Sequence, residues 1–499
     1  MVDTQSAVRY ETPTGRWVLA AAVGGSSIAM LDATVVNVAL PRLASDLDMG
    51  FSGLQWVING YLVTLSALIL LGGALGDLYG RRKIFVAGTA FFAIASLLCG
   101  IAPNGETLVA ARALQGIGGA MLTPASLAII QSSFRPDDRG RAIGAWSGLG
   151  GVAAAIGPFL GGWLVEAVSW RAIFLLNLPV AAVVIVIAQR HVPESAAPVR
   201  PGWHPDVGGG LLSALGLAGL TYALIEFPAR GWSSTAIRGA LALSVVGFLG
   251  FFVVEIRERH PMLPLGIFAS MRFSGTNLAT FAIYGALGGF FFLFAVHLQR
   301  GLGYSPIEAG AAGLPITLIM LVHSARAGRI ATRTGPRLPM TLGPLVMAIG
   351  LFMARGIGPG AEYLTDILPA ILVFSAGLVH TVAPLTTTAL ASAPPEHAGV
   401  ASGVNNAVAR AAGLIAVAVL PPLAGLGGDI VPDVQTLADG FARACTIAAF
   451  AVAAGGVISL LTVGKDKLVA PALDEEHHCS VAGPPLRPAE PHWGCPEAA

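Results

Sequence analysis

Charge is what this 499-residue chain lacks most: only 11% of its residues are Asp, Glu, Lys or Arg. A soluble domain carries about 25%. The net charge of +1 leaves no field that would draw in nucleic acid. Cysteine is equally scarce. Cys99 and Cys445 lie in apolar runs, and Cys479 and Cys495 lie in a polar tail. Their spacing fits neither a disulfide framework nor a zinc site. No Gly-x-x-x-x-Gly-Lys-Ser/Thr loop is present, so nucleotide hydrolysis is not the expected driving force. Gly116-Ile-Gly118 opens no strand-to-helix phosphate loop. The N-terminus carries no short apolar region with a small-residue cleavage site, so the first apolar run is expected to stay as a helix. No stretch is large and polar enough to house a soluble enzyme domain, and no cofactor is expected.

What is abundant is apolar sequence, at 55%. Uncharged runs occur at 17–40, 54–75, 84–102, 107–131, 142–166, 172–189, 207–226, 237–255, 273–297, 308–325, 338–354, 366–390, 399–421 and 442–463. At 1.5 Å rise per residue, runs of about twenty residues cross a hydrocarbon core of about 30 Å. They are continuously apolar, without a period of two, so helices and not barrel strands are expected. The fold class is therefore all-α integral membrane, with fourteen transmembrane helices. An N-terminus in the cytoplasm places twenty Lys and Arg on inner segments and seven on outer ones. By the positive-inside rule both termini are cytoplasmic. The residues after Lys467 are rich in Pro, Gly and acids, which predicts a disordered tail. His477, His478, Cys479, His492 and Cys495 lie there. A solvated tail explains them better than a metal site.

One motif occurs twice. Gly73-Ala-Leu-Gly-Asp77-Leu-Tyr-Gly80-Arg81-Arg82-Lys83 follows the second run, and Gly328-Arg-Ile-Ala-Thr332-Arg333-Thr-Gly335-Pro-Arg337 follows the tenth. Glycines and basic residues align at an offset of 255, on the same side of the membrane. Parallel repeats of this kind are a common transporter plan. The expected organisation is a cytoplasmic N-terminus (1–16), a six-helix bundle (17–189) and a linker (190–206). Two extra helices (207–255) and a second linker (256–272) follow, then a second six-helix bundle (273–463) and the tail (464–499).

Several ionisable residues stand deep in these runs. Asp32 lies about 12 Å from the outer end of the first, too deep for its short side chain to snorkel out. Arg112 enters from the outer end of the fourth run and sits about 8 Å below the surface, at a comparable depth. A buried carboxylate needs a partner or water. Arg112 is the expected partner, with Gln115 one turn away in the same hydrogen-bond network. Arg410 lies near mid-membrane after Asn405 and Asn406. His380 lies near the middle of the twelfth run. Arg410, Asn406 and His380 are cavity candidates, although a satisfied core histidine is the plainer reading of His380. Glu226 and Glu255 lie at run ends and read as interfacial. Trp56, Tyr61, Trp146 and Tyr284 read mostly as interface anchors, with cavity contacts open for one or two. Pro158 bends the fifth run, and Gly157 with Gly161 forms a Gly-x-x-x-Gly pair that permits close helix approach.

Five segments together resemble the major facilitator superfamily, in its fourteen-span drug:proton antiporter branch. They are the Gly73–Lys83 loop, Leu31-Asp32-Ala-Thr34-Val-Val-Asn37-Val-Ala-Leu-Pro41, Arg112-Ala-Leu-Gln115-Gly116-Ile-Gly118-Gly119-Ala120, Gly157-Pro158-Phe-Leu-Gly161-Gly162, and Trp170-Arg171-Ala-Ile-Phe174-Leu-Leu-Asn177-Leu-Pro179. The resemblance covers about residues 15–465. Two departures are mild: Ala153 stands where the antiporter motif usually has glycine, and Thr332 stands where the first loop has Asp77. The resemblance implies alternating access in a bacterial cell membrane, driven by the proton gradient. It implies export of lipophilic or cationic small molecules, with Asp32 as proton carrier and Arg112 as modulator. Asn37 is placed with Gln115 in the hydrogen-bond network. Gly73, Asp77, Gly80, Arg81 and Arg82 would form a gate that clasps and releases the opposite half. Gly157, Pro158, Gly161 and Gly162 would form the face on which the halves slide. Transport of one specific metabolite, and a non-transporting membrane sensor, are the competing readings. A buried Asp32–Arg112 pair argues against the sensor, which needs none. The expected partners are a small-molecule cargo, protons and the bilayer, and a monomer would suffice.

Overall fold

The computed structural model describes residues 8–196, 204–258, 261–392, 398–428 and 432–464. The expected disordered tail, its His and Cys residues, and the basic residues Arg200, Arg259, Lys465, Lys467 and Arg487 lie outside them.

Among the described residues, fourteen helices are long and apolar enough to cross a membrane. They are α1 (Pro13–Asp46), α2 (Phe51–Tyr79), α3 (Arg81–Gly100), α4 (Gly105–Ser133), α5 (Pro136–Ala167), α6 (Arg171–His191) and α7 (Val207–Arg230). They continue as α8 (Thr235–Arg257), α9 (Met271–Gly301), α10 (Pro306–Ser324), α11 (Arg337–Ala354), α12 (Tyr363–Ala391), α13 (Val400–Leu423) and α14 (Val434–Thr462). Helix starts follow local chemistry. Thr12, Asn104, Asp206, Ser270, Ser305 and Asp433 each accept a hydrogen bond from the backbone N–H three residues on. That satisfies donors which have no partner inside the helix. Ser305 and Glu308 complete a reciprocal capping box.

The repeated loop is shorter than the apolar runs suggest. Helix α2 continues through Tyr79, and α10 runs on as helix to Thr334. Each copy reduces to a break at one glycine of positive φ, Gly80 at 109° and Gly335 at 80°. Glycine adopts that backbone without Cβ strain. The two breaks are 255 residues apart, the offset of the sequence repeat.

Packing repeats as well. In the first half α1 packs on α5 and α6, α4 on α2 and α3, and α3 on α6. In the second half α9 packs on α13 and α14, α12 on α10 and α11, and α11 on α14. Two seams join the halves, α2 with α13 and α5 with α10, and they exchange under the same correspondence. Helix α7 lies on α2 and α13, and α8 packs chiefly on α7. The extra pair thus covers one seam only. Trp56 of α2 donates its indole N–H to Glu226 of α7 at 3.0 Å, and Arg230 closes on the other carboxylate oxygen at 3.0 Å.

The seams differ in length. Along α2–α13, Gln55 donates to the Val417 carbonyl at 2.6 Å, Val63 and Ala67 pack with Leu414, and Leu70 reaches Gly403. Along α5–α10 the close contacts lie at the end where α1 finishes. Gly162 abuts Pro306 and Ile307, Gly310 abuts Pro158, and the Ile307 amide donates to Glu166 at 3.4 Å. Toward the other end of α5, Gly140, Gly144, Gly148 and Gly151 have open space where a side chain would stand. Gln299 and Arg300 add bonds of 2.9 Å to the carbonyls of Val38 and Pro41, again at the end where α1 finishes.

Candidate functional site

Asp32 and Arg112 meet in the middle of the first half. Each side chain is 1% exposed, and Arg112 Nη1 stands 2.5 Å from Asp32 Oδ2. One turn along α4, Gln115 accepts from the same guanidinium nitrogen at 2.6 Å and donates to Asp32 Oδ1 at 2.9 Å. Its second amide hydrogen goes to Ser96 of α3 at 2.8 Å. Asn177 of α6 donates to Asp32 Oδ1 and to Ser96, both at 3.3 Å. Arg112 Nε donates to the Val57 carbonyl of α2 at 3.1 Å, and its guanidinium carbon lies 4.5 Å from the Tyr61 ring centre. Five helices therefore contribute to one buried knot, and the carboxylate accepts three hydrogen bonds.

Arg112 and Gln115 reach Asp32 together because positions three apart share a helix face. Asn177 reaches it because α6 breaks at Leu176 and restarts with Asn177 buried. Burial of such a pair is not a source of stability in itself. Desolvation offsets the attraction, whereas removing one partner costs about 3–5 kcal/mol. What the arrangement offers chemically is a buried carboxylate held by three side-chain donors from α4 and α6.

Several expectations need correcting. Asn37 does not join this knot: it donates to the Ala33 carbonyl of its own helix at 3.4 Å. Five residues at 100° each turn it roughly 140° away from Asp32. Ser96 and Asn177 complete the knot instead. Asn177 was legible as a polar residue inside the sixth run, but Ser96 gave no signal beyond polarity.

Asp77 accepts two hydrogen bonds from Arg81, across the Gly80 break, at 3.0 and 2.8 Å. Arg82 donates to the Val192 carbonyl at 3.1 Å and pairs with Glu194 at 3.6 Å. All of these bonds stay on the first half and the segment that follows it. Gly73 lies 3.6 Å from Pro124, measured from where a Cβ would stand. The span-five motif splits between two neighbours. Gly157 and Gly161 leave no room for side chains against Thr34 and Val35 of α1, while Pro158 and Gly162 meet α10. Only the second pair touches the other half.

His380 is half-buried, and its Nδ1 is bonded to the Ala376 carbonyl of its own helix at 2.8 Å. Asn406 is exposed and Arg410 half-buried. Asn405 is buried instead, donating to Asn277 and Thr280 at 3.2 and 3.0 Å. Among the four aromatics, Trp56 serves the α7 contact, Tyr61 lies under Arg112, and Trp146 donates to Ser26 at 2.7 Å. Tyr284 stays half-buried. No group of three or more His, Cys, Asp or Glu able to hold a metal ion occurs among the described residues.

The family model described as Major Facilitator Superfamily matches residues 22–417. The puromycin resistance protein pur8 of Streptomyces alboniger is 36% identical over 489 residues, covering 95% of this chain and 96% of that one. The tetracenomycin C resistance and export protein of Streptomyces glaucescens is 35% identical over 421 residues, covering 83% of this chain and 77% of that one. Among solved structures, a peptide transporter POT in complex with sulfate superimposes with a TM-score of 0.67 at 14% identity, covering 92% of this chain and 98% of that one. At that identity the likeness speaks for the fold.

Proposed function

Because this chain belongs to the Major Facilitator Superfamily, we propose that it is a secondary active transporter that exports lipophilic or cationic small molecules in exchange for protons. The observation that carries the reading is the Asp32–Arg112 pair, 1% exposed on both sides and tied to Gln115, Ser96 and Asn177. The resistance and export roles printed for relatives at 35–36% identity support the direction and the class of cargo. Asp32 carries the proton. Arg112, Gln115 and Asn177 hold the carboxylate in place by hydrogen bonds.

Among the described residues, fifteen Lys and Arg lie toward the end where α1 begins and seven toward the other. By the positive-inside rule that end is read as cytoplasmic, with both termini inside, and the bacterial relatives support a bacterial cell membrane. The open space along α5 then belongs to the cytoplasmic side, and the α5–α10 contacts near Gly162 to the closed outer side. In the outward-open state Asp77 exchanges Arg81 for a partner on the second half. The functional division is two six-helix bundles (17–189 and 273–463) that rock about the site, with 207–255 as an added pair.

The test is dye export from proteoliposomes under an imposed pH gradient, with wild type and Asp32→Asn. The expected result is uphill export by wild type only, with downhill exchange surviving in the variant. Equal uphill export by Asp32→Asn would remove Asp32 from proton coupling.

A further inference from the structure

Arg410 is the second arginine set deep in the membrane, and its surroundings are the reverse of Arg112's. Arg112 is 1% exposed and bonded to a carboxylate, an amide and a carbonyl. Arg410 is half-buried and makes no ion pair or hydrogen bond among the described residues. The described carboxylates of the second half are Glu308, Glu362, Asp366, Asp433 and Asp439, all at the ends of helices on the far side from the start of α13. None stands at the level of Arg410, about eleven residues into its helix.

Its position follows from the seam. Gly403, Arg410, Leu414 and Val417 repeat on one stripe of α13 at helical spacing. Gly403 lies against Leu70, Leu414 against Val63 and Ala67, and Val417 accepts from Gln55. On its other flank α13 packs on α9, with Gly413 against Gly288. Arg410 therefore emerges between α2 and α9. A Cβ on Gly285 of α9, the neighbour of Tyr284, would stand 3.4 Å from the Ala412 carbonyl, two residues from Arg410. Asn406, one turn before it, is exposed. A guanidinium at mid-membrane has to face water or an anion, and its planar fork of donors matches a carboxylate or similar oxyanion.

We propose that Arg410, with Asn406 and Tyr284 beside it, is the anion-recognition subsite of the transport path, and that the cargo is an amphiphilic organic acid. The proposal rests on the export reading above and deepens it. The sequence expectation allowed lipophilic or cationic cargo; Arg410 narrows it to molecules with one acidic group on an apolar body. Exchange of such an anion for one proton moves two charges per cycle, so the membrane potential drives it more strongly than it drives exchange of a neutral or cationic molecule.

The experiment compares two xanthene dyes of one ring system, anionic fluorescein and cationic rhodamine 123. Binding to the full chain in zwitterionic nanodiscs is read by fluorescence anisotropy without a pH gradient. Wild type is expected to bind fluorescein about tenfold or more tightly than rhodamine. Arg410→Gln loses that preference, Arg410→Lys keeps part of it, and Arg410→Glu inverts it. The thermal transition of each variant is measured alongside, and Arg410→Lys is the variant that preserves charge and length. Equal binding of the two dyes by wild type overturns the proposal. So does undiminished fluorescein binding by a folded Arg410→Gln. Because binding is read without a gradient, failure of Asp32 to couple protons leaves this result standing, and failure here leaves the Asp32 test standing.

Discussion

The junction of α1, α4 and α6 and its counterpart of α9, α12 and α14 are built alike and filled with opposite chemistry. The first holds Asp32, Arg112, Gln115 and Asn177 in one hydrogen-bonded knot. The second holds Phe290, Phe294, Phe374 and Phe441, with ring centres 5.2 to 6.4 Å apart, and His297 stacked on Phe441 at 4.3 Å. In lipid, apolar burial drives helix association weakly, so packing and polar bonds must hold the bundle. Aromatic rings supply contact area and edge-and-face geometry. A charged knot supplies less net stability and more cost when broken. The difference puts a buried ion pair in one half and stacked aromatic rings in the other. Arg410 then gives the second half a half-buried charge of its own.

The sharpest break of this comparison is Asp32→Asn. The variant keeps the side-chain shape but leaves Arg112 as an unpaired buried charge, so its thermal transition is measured alongside transport. Uphill export is expected to fall about 100-fold or more, equivalent to about 2.7 kcal/mol, with downhill exchange retained. Transport by reconstituted protein checks it. Arg112→Ala is the matching disruption of structure. It strands Asp32 without its cation and should cost about 3–5 kcal/mol, read as a lowered thermal transition in detergent. Asp32→Asn combined with Arg112→Gln should lose less than the two single losses added, because the double variant leaves no buried charge unpaired.

Phe441→Ala tests the other junction. It removes the ring that meets Phe290, Phe294 and His297 and opens a cavity in buried packing. The loss is about 3 kcal/mol, and the pH profile of export per folded molecule should stay that of wild type. A shifted profile would show that His297, buried with Nε2 bonded to the Ile357 carbonyl at 2.9 Å, also takes part in proton handling.

These two junctions also show what the sequence makes legible. Asp32, Arg112 and Gln115 announce themselves because a charge in an apolar run has few explanations, and the structure brings all three together. The fourteen spans are equally plain, since length and continuous apolarity are local properties. The aromatic junction is invisible beforehand: Phe290, Phe374 and Phe441 are ordinary residues of apolar runs, and only the packing of three helices makes them a cluster. Asn37 shows a related limit. Its type and neighbourhood suggest the network, and the turn of the helix takes it elsewhere. Gly157 and Gly162 show another, since one motif serves two neighbours on two faces.

The smallest expected effect sets the rim of the second half against its core. Asp433 caps α14 in front of Phe441, accepting from the Thr436 amide at 2.8 Å and the Thr436 hydroxyl at 3.2 Å. Those bonds hold its carboxyl below the usual carboxylate value. A depressed value means that the cap stabilises the folded state fully above the unfolded value of about 3.9. The contribution then fades as pH falls through the lower folded value. Asp433→Ala should therefore speed hydrogen exchange in the first turn of α14 at pH 7, with wild type approaching the variant only in strong acid. The thermal transition should move less than for Phe441→Ala, because an exposed cap secures one turn while the ring secures three helices. Unchanged exchange at pH 7 would mean that the aromatic junction alone fixes the start of α14, and the contrast between a packed core and a charged one would extend to the membrane surface.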